Sequence, residues 1–138
     1  MRPVRLELHP VGFVRSPLGD RASAPRQGDE GAPDAWIELT ASFAEALEGI
    51  NAGDELIVIA WLHEPRREVL KVHPRGDKRR PLAGVFATRT PDRPNPLGLH
   101  RVTVREIAPG KLKVGPLEAI DGTPVVDIKP VLRAWTDR

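Results

Sequence analysis

The segment from Gly84 to Leu99 holds the residues whose types and spacing best suit ligand binding. Three of the six residues 91–96 are proline, which fixes φ and lacks an N–H, so this stretch is predicted to be stiff and neither helix nor central strand. Such a frame presents Arg89 and Arg93, whose guanidinium groups suit carboxylate or phosphate oxygens, and Asn95, whose amide donates and accepts. The alternative is a proline-stiffened crossover whose arginines bind backbone carbonyls.

A second cluster is a tight turn that leads into a strand. The turn consists of Asp121, Gly122, Thr123 and Pro124. Its backbone amides and the Thr123 hydroxyl could hold a small polar ligand, and the alternative is a turn with no ligand. Asp127 and Lys129 fall on one side of the following strand, where they are expected to form an ion pair.

A third feature is His63-Glu64, which follows a long apolar run, and a basic segment comes directly after it. Strand ends often carry functional sites, although a single histidine there is more often structural. The basic residues are Arg66, Arg67, Lys71, Arg75, Lys78, Arg79 and Arg80. They predict a surface that faces phosphates, with a solvated loop as the alternative.

Other chemistries are excluded by what the sequence lacks. It has no cysteine, which rules out disulfides, thiolate metal sites and cysteine nucleophiles. No HExxH pattern or glycine-rich phosphate loop occurs, and none of the three serines lies in a G-x-S-x-G elbow, so no metal site is expected. The chain is 40% hydrophobic and 29% charged, with a net charge of +2 and no apolar leader, which favours a cytoplasmic protein.

The positioning elements are predicted to be short strands, because 15 prolines and 12 glycines divide the 138 residues. The Glu55–Leu62 strand is expected to be buried on both faces and to pair with the strand at Val69–Val72. The other predicted strands are Leu6–Val14, Ala35–Leu39, Leu99–Ile107, Lys111–Val114 and Val125–Ile128. Turns at Pro109-Gly110 and Asp121-Gly122 precede the last two of these.

A single short helix is predicted after the second strand. Ser42 and Glu45 have the spacing of a capping box, and Gly49 offers a stop. Phe43, Leu47 and Ile50 recur at helical spacing and are expected on the core side; they form one apolar face. The whole pattern predicts an all-β barrel or sandwich with one helix.

In the same order along the chain, these segments resemble the TsaA-like family, also called TrmO, the tRNA threonylcarbamoyladenosine methyltransferases. The similar segments are residues 10–17, 24–28, 61–63, 84–99 and 120–130. The resemblance covers almost the whole chain and implies a single TsaA-like domain over residues 1–138, a small β-barrel methyltransferase without a Rossmann core. The additional C-terminal domain of longer bacterial members is not expected.

The resemblance also implies a cofactor, S-adenosyl-L-methionine, held near the interface of a homodimer. Carried over by position, the cofactor-binding residues are Pro25, Arg26, Gln27, His63, Glu64, Arg89, Leu99, Asp121, Gly122, Thr123 and Pro124. No catalytic residue is implied. The chain departs from the family pattern at Thr90, His100, Glu118 and Val131.

The implied substrate is the exocyclic nitrogen of threonylcarbamoyladenosine in tRNA. For it we predict contacts from Arg93 and Asn95, and from Arg75, Arg79 and Arg80 of the basic segment. Two alternatives stay open from the sequence: a regulatory module that binds S-adenosylmethionine without methylating tRNA, and a plain β-barrel interaction module.

Overall fold

In the computed structural model, which describes residues 2–19, 31–63 and 65–132, six antiparallel strands close into a barrel. The strands along the chain are β1 (Gly12–Arg15), β2 (Ala35–Leu39), β3 (Glu55–Trp61), β4 (Lys71–Val72), β5 (Ala83–Gly84), β6 (Leu97–Ala108), β7 (Lys111–Gly115) and β8 (Pro124–Pro130). The order around the barrel is β1-β2-β7-β6-β3-β8, and β8 pairs back with β1. The barrel with one short helix that was predicted from the sequence is therefore confirmed.

The interior of the barrel is filled by aliphatic side chains, because alternate residues of each strand point inward. The buried cluster comprises Val14, Ala35, Ile37, Leu56, Val58, Val102, Val104, Leu112, Val114, Leu117, Ala119 and Val125. The β6–β7 hairpin turns at Gly110, whose φ of 70° lies in the left-handed region that glycine adopts without strain. This hairpin and the second strand agree with the sequence prediction.

The first strand is shorter than predicted. Residues 2–11 form no strand, and Leu6 is 82% exposed although its spacing from Leu8 is that of a strand. The reason is that β1 pairs with β2 and β8 only from Gly12 onward; Val11 still makes single backbone hydrogen bonds with Val125 and Thr40, and residues 2–10 have no strand to pair with.

Two expectations for the middle of the chain are also wrong. Leu56, Val58 and Ala60 of β3 are buried, but the residues between them are only half-buried, so one face of the strand is incompletely covered. The strand predicted at Val69–Val72 is the shorter β4, and it pairs with β5 in a separate two-stranded sheet. It cannot join β3, because β6 and β8 already occupy both edges of that strand.

The predicted helix is a 3₁₀ helix over Ala41–Leu47, and single 3₁₀ turns also occur at Pro74–Gly76 and Val85–Ala87. Its first turn is closed by a backbone hydrogen bond from Phe43 N–H to the Thr40 carbonyl, 2.8 Å, and no side chain caps it. The predicted Ser42–Glu45 capping box is therefore wrong, since Ser42 lies inside the helix. Leu47 and Ile50 pack against the core as expected, whereas Phe43 stays partly exposed.

Gly12 marks a point where β1 passes close to β2. A Cβ at this position would lie 2.5 Å from the backbone oxygen of Glu38 and 3.2 Å from the Cα of Leu39. Because backbone atoms cannot rotate away, we expect Gly12→Ala to lower the free energy of unfolding by about 1–3 kcal/mol. The measurement is a urea denaturation curve. Gly19→Ala is the control, since a Cβ there has nothing within 4 Å, and equal stability of the two variants would contradict the prediction.

Candidate functional site

A cleft of about 1430 Å³ opens beside the barrel. The proline-rich segment contributes residues 87–93 to its wall, and the turn after β7 contributes Ile120 and Thr123. The end of β3 and the start of β6 line it as well, through Leu62 and Leu97 among others. The two motif clusters, some 30 residues apart in sequence, therefore face one cavity. A smaller pocket of about 410 Å³ shares Leu62 and Thr123 with the cleft.

Most of the predicted cofactor-binding residues lie around these two cavities. His63 and Thr123 line both, Arg89 and Leu99 line the cleft, and the remainder of the turn lines the smaller pocket. The predictions for Pro25, Arg26, Gln27 and Glu64 fall outside the described residues.

Arg93 holds the proline-rich segment together. Its guanidinium group donates hydrogen bonds to the backbone carbonyls of Val85 (2.5 Å), Thr88 (3.0 Å) and Thr90 (3.3 Å). This is the backbone-binding alternative that the sequence left open, although Arg93 also lines the cleft. Its role as a substrate contact stays a prediction.

A second arginine, Arg67, ties this segment to the barrel. Its Nε–H donates to the carbonyl of Pro94 at 2.7 Å, and its guanidinium group lies 5.3 Å from the centre of the Trp61 ring, within cation–π range. The same group is 3.4 Å from the Asn95 side-chain oxygen. Asn95 is exposed and does not line either cavity, so its predicted substrate contact has no support from the cleft geometry.

Arg89 differs from these anchored arginines. Its side chain is exposed at the cleft wall. Within the described part of the chain it makes no hydrogen bond or ion pair. A guanidinium group fixed on a stiff backbone and left without a protein acceptor is suited to bind a ligand anion.

The backbone amides of the Asp121–Pro124 turn are already used within the protein. The N–H groups of Asp121, Gly122 and Thr123 donate to the carbonyls of residues 18, 14 and 120, at 2.7, 2.7 and 3.2 Å. The Thr123 hydroxyl donates to the Ile120 carbonyl at 2.7 Å. In this conformation these amides and the hydroxyl already have protein partners, so the cofactor-binding role of the turn stays a prediction. All four residues of the turn line the smaller pocket.

The basic segment borders the cleft in part. Arg66, Lys71, Arg75 and Lys78 line it, whereas Arg79 and Arg80 do not. Arg79 donates to both carboxylate oxygens of Asp77, at 3.0 and 3.1 Å. Hydrogen bonds from the Arg79 side chain and backbone N–H lower the pKa of Asp77, and the same contact raises the pKa of Arg79. The outer end of the segment is thus a folded loop with an internal ion pair.

Sequence reasoning missed one pair on the cleft wall, His100 and Glu118. The two side chains are hydrogen-bonded through His100 Nδ1 and a carboxylate oxygen, and both line the cleft. The only signal in the sequence was that both positions depart from the TsaA-like pattern. Their contact joins β6 to the loop after β7, a pairing that sequence spacing does not reveal.

The chain matches one known family over most of its length. Residues 13–137 match the family model described as the tRNA-methyltransferase O N-terminal domain. The chain belongs to this family. The resemblance read from the two motif clusters is thereby confirmed.

Similar proteins and a similar solved structure agree with this assignment to the TrmO family. The chain is 41% identical over 130 residues to a probable S-adenosyl-L-methionine-binding protein of Methanothermobacter thermautotrophicus, covering 94% of this chain and 93% of the relative. A probable S-adenosyl-L-methionine-binding protein of Methanocaldococcus jannaschii is 47% identical over 97 residues, which are 67% of this chain and 77% of the relative.

The crystal structure of TrmO from Pseudomonas aeruginosa superimposes with a TM-score of 0.75 at 28% identity. The match covers 98% of this chain and 61% of that structure, so the chain spans less than two thirds of its length. None of the short helices in the described residues could span a membrane.

Proposed function

We propose that this chain binds S-adenosyl-L-methionine and methylates the exocyclic nitrogen of threonylcarbamoyladenosine in tRNA, acting in the cytoplasm. One observation carries the proposal: the proline-rich segment and Thr123 of the Asp121–Pro124 turn border one cleft, and Arg89 on its wall makes no hydrogen bond or ion pair with another described residue. Membership in the TrmO family gives this cleft its chemical interpretation.

The cleft fits the proposed cofactor in size and chemistry. Typical small-molecule pockets measure about 300–1000 Å³, and at about 1430 Å³ this one has room for a second reactant. Arg89 suits the cofactor's carboxylate. Carbonyl oxygens of the Asp121–Pro124 turn suit its positive sulfonium and its adenine amino group.

The charge of the cleft supports a polyanionic substrate. Six arginine or lysine residues line it, Arg66, Lys71, Arg75, Lys78, Arg89 and Arg93, against two acidic residues among those described, Asp92 and Glu118. Such an excess attracts phosphates from a distance and concentrates the substrate at the site. Because the modified base lies in a single-stranded loop, it need not be extracted from a duplex.

Bound S-adenosylmethionine supplies a methyl group already activated on sulfur. The protein's task is then to hold the acceptor nitrogen in line with that group, and alignment alone can supply a large part of the rate. The rigid frame formed by Arg93 and Arg67 suits this task, since it fixes the cleft wall to the barrel.

The test is an incubation of the protein with S-adenosylmethionine and three substrates: unmodified tRNA, threonylcarbamoylated tRNA and total tRNA. Mass spectrometry of the digested nucleosides is expected to find one added methyl group only where threonylcarbamoyladenosine is present. Binding of S-adenosylmethionine by calorimetry without any methylated nucleoside would instead favour the regulatory module. If S-adenosylmethionine neither binds nor raises the melting temperature, a plain interaction module is favoured.

Removing charge from the outer loop is expected to weaken tRNA binding without changing the cofactor site. Arg79→Gln with Arg80→Gln removes two cations that do not line the cleft. The slope of log K for tRNA binding against log salt concentration is negative, and we expect its magnitude to decrease by about 1.4. This is roughly 0.7 for each single-strand phosphate that the variant no longer neutralises. Filter binding over a salt series measures this slope. An unchanged slope would place the tRNA elsewhere.

A homodimer is part of the proposal. Leu82, which lines the cleft, is 58% exposed, and Phe86 beside the proline-rich segment is 86% exposed. Large apolar side chains in such positions are suited to burial against a second copy of the chain. Light scattering on the purified protein measures the oligomeric state.

A further inference from the structure

His100 is the one buried histidine of the described chain, and one of its nitrogens has no partner. The residue is 5% exposed, on the inward side of β6 at the barrel end that meets the cleft. Its Nδ1 is hydrogen-bonded to Glu118. Its Nε2 is the only buried side-chain nitrogen or oxygen in the described residues without a hydrogen-bond partner. A buried polar atom left in this way costs free energy unless a ligand or water completes it.

The contact with Glu118 fixes how the imidazole ring can act. A carboxylate accepts hydrogen bonds and does not donate, so Nδ1 must carry a proton. In the neutral ring the lone pair is then on Nε2. This is the arrangement in which a carboxylate orients a histidine as a proton acceptor.

The atoms found near Nε2 belong to other residues of the cleft wall. A Cβ on Gly98 would lie 2.9 Å from Nε2 and 2.6 Å from Cδ2 of Leu62, so the nitrogen and the leucine side chain lie side by side over that glycine. Leu62, Gly98 and His100 all line the cleft. Because Nε2 is itself buried, a bound ligand can reach it only if a neighbouring side chain such as Leu62 moves. Apart from the carboxylates of Glu118 and Asp92, the charged arginine and lysine side chains that line the described cleft wall are all cations.

We infer that His100 is the proton acceptor for the methyl-accepting nitrogen and that Glu118 is the residue that positions it. The inference rests on the proposed function. The nitrogen forms a bond to the methyl carbon with its lone pair, the carbon–sulfur bond breaks with its electrons left on sulfur, and the N–H proton passes to Nε2. Charge balances, because the sulfonium becomes a neutral thioether while the imidazole becomes a cation beside the Glu118 carboxylate.

The kinetic test compares His100→Gln with the wild type in single-turnover methylation of threonylcarbamoylated tRNA. We expect the rate constant to fall at least about 100-fold, the usual lower bound for a lost general base, with the Kd for S-adenosylmethionine unchanged within about twofold. Glu118→Gln keeps the size of the side chain and is expected to give a smaller loss of the same kind. His9→Gln is the matched control, since His9 is exposed and does not line the cleft. A wild-type rate constant in folded His100→Gln, or in Glu118→Gln if the first variant does not fold, would overturn the inference.

A second readout does not depend on turnover. With ¹⁵N-labelled histidine, the Nε2 resonance of His100 is assigned by its loss in His100→Gln. We expect it to show an unprotonated nitrogen and to move upfield when threonylcarbamoyladenosine is added with S-adenosylhomocysteine. An unmoved resonance while other signals report binding overturns the role of His100 and leaves the proposed function standing. Absence of both nucleoside binding and wild-type methylation overturns the proposed function and this inference with it.

Discussion

Replacing Arg89 with alanine is expected to weaken binding of S-adenosylmethionine about 10- to 100-fold. The Arg89 side chain has no acceptor among the described residues, so all of its hydrogen-bonding capacity is available to a ligand carboxylate. Hydrogen bonds to charged groups contribute roughly 1.5–3 kcal/mol, and about 1.4 kcal/mol corresponds to a factor of ten in Kd. Isothermal titration calorimetry measures the change.

The control for this variant is Arg101→Ala. Arg101 is also an exposed arginine, but it lies on the barrel wall, donates to Glu55 at 2.6 Å and does not line the cleft. Its loss should leave the Kd for S-adenosylmethionine within about twofold of the wild type, because exposed ion pairs contribute little. If Arg101→Ala weakens the cofactor as much as Arg89→Ala does, the effect is one of overall charge and the assigned contact is wrong.

Truncating Leu117 to alanine is expected to lower the free energy of unfolding by about 2–5 kcal/mol, the range for a fully buried leucine. Leu117 is 0% exposed and packs in the barrel core, and its N–H donates to the Pro33 carbonyl at 3.0 Å. Because Leu117 directly precedes Glu118 in the chain, we expect its truncation to loosen the His100–Glu118 pair as well. Urea denaturation measures the loss of stability, and the Nδ1 resonance of His100 reports the loosened contact with Glu118.

Leu6→Ala is the matched control for Leu117→Ala. Leu6 belongs to the N-terminal segment that precedes β1 and is 82% exposed. Its truncation removes the same atoms from a side chain that has little to bury, so stability should change by no more than about 0.5 kcal/mol. A loss close to that of Leu117→Ala would mean that the N-terminal segment packs in solution.

Local sequence signals were sufficient for the parts of the fold that depend on neighbours in sequence. The β6–β7 hairpin follows from Pro109-Gly110 between alternating segments, and β2 has the predicted bounds. The two candidate ligand-binding clusters were chosen by residue type, and the structure brings their segments to one cleft. The resemblance to the TrmO family contributed the chemical interpretation of that cleft.

The errors come from long-range competition for partners. Alternation at Leu6 and Leu8 is typical of a strand, but pairing partners decide where a strand ends, and none reaches that segment. The same competition kept β4 away from β3, whose edges were taken. Arg93 presented a comparable ambiguity, because a guanidinium group suits a ligand oxygen and a backbone carbonyl equally well. Only the distances to three carbonyls show which acceptors it has in this conformation.

The separate pairing of β4 with β5 has a consequence for how the molecule opens. The barrel strands each have two hydrogen-bonded neighbours. The ribbon formed by β4 and β5 has only two strands of two residues each and shares no strand with the barrel. In segments with so few protected amides, the free energy of local opening is a small fraction of the free energy of global unfolding. Amide hydrogens of Lys71 and Val72 should accordingly exchange with solvent far sooner than those of β3. We therefore expect the side of the cleft that carries much of the positive charge to rearrange while the barrel stays closed.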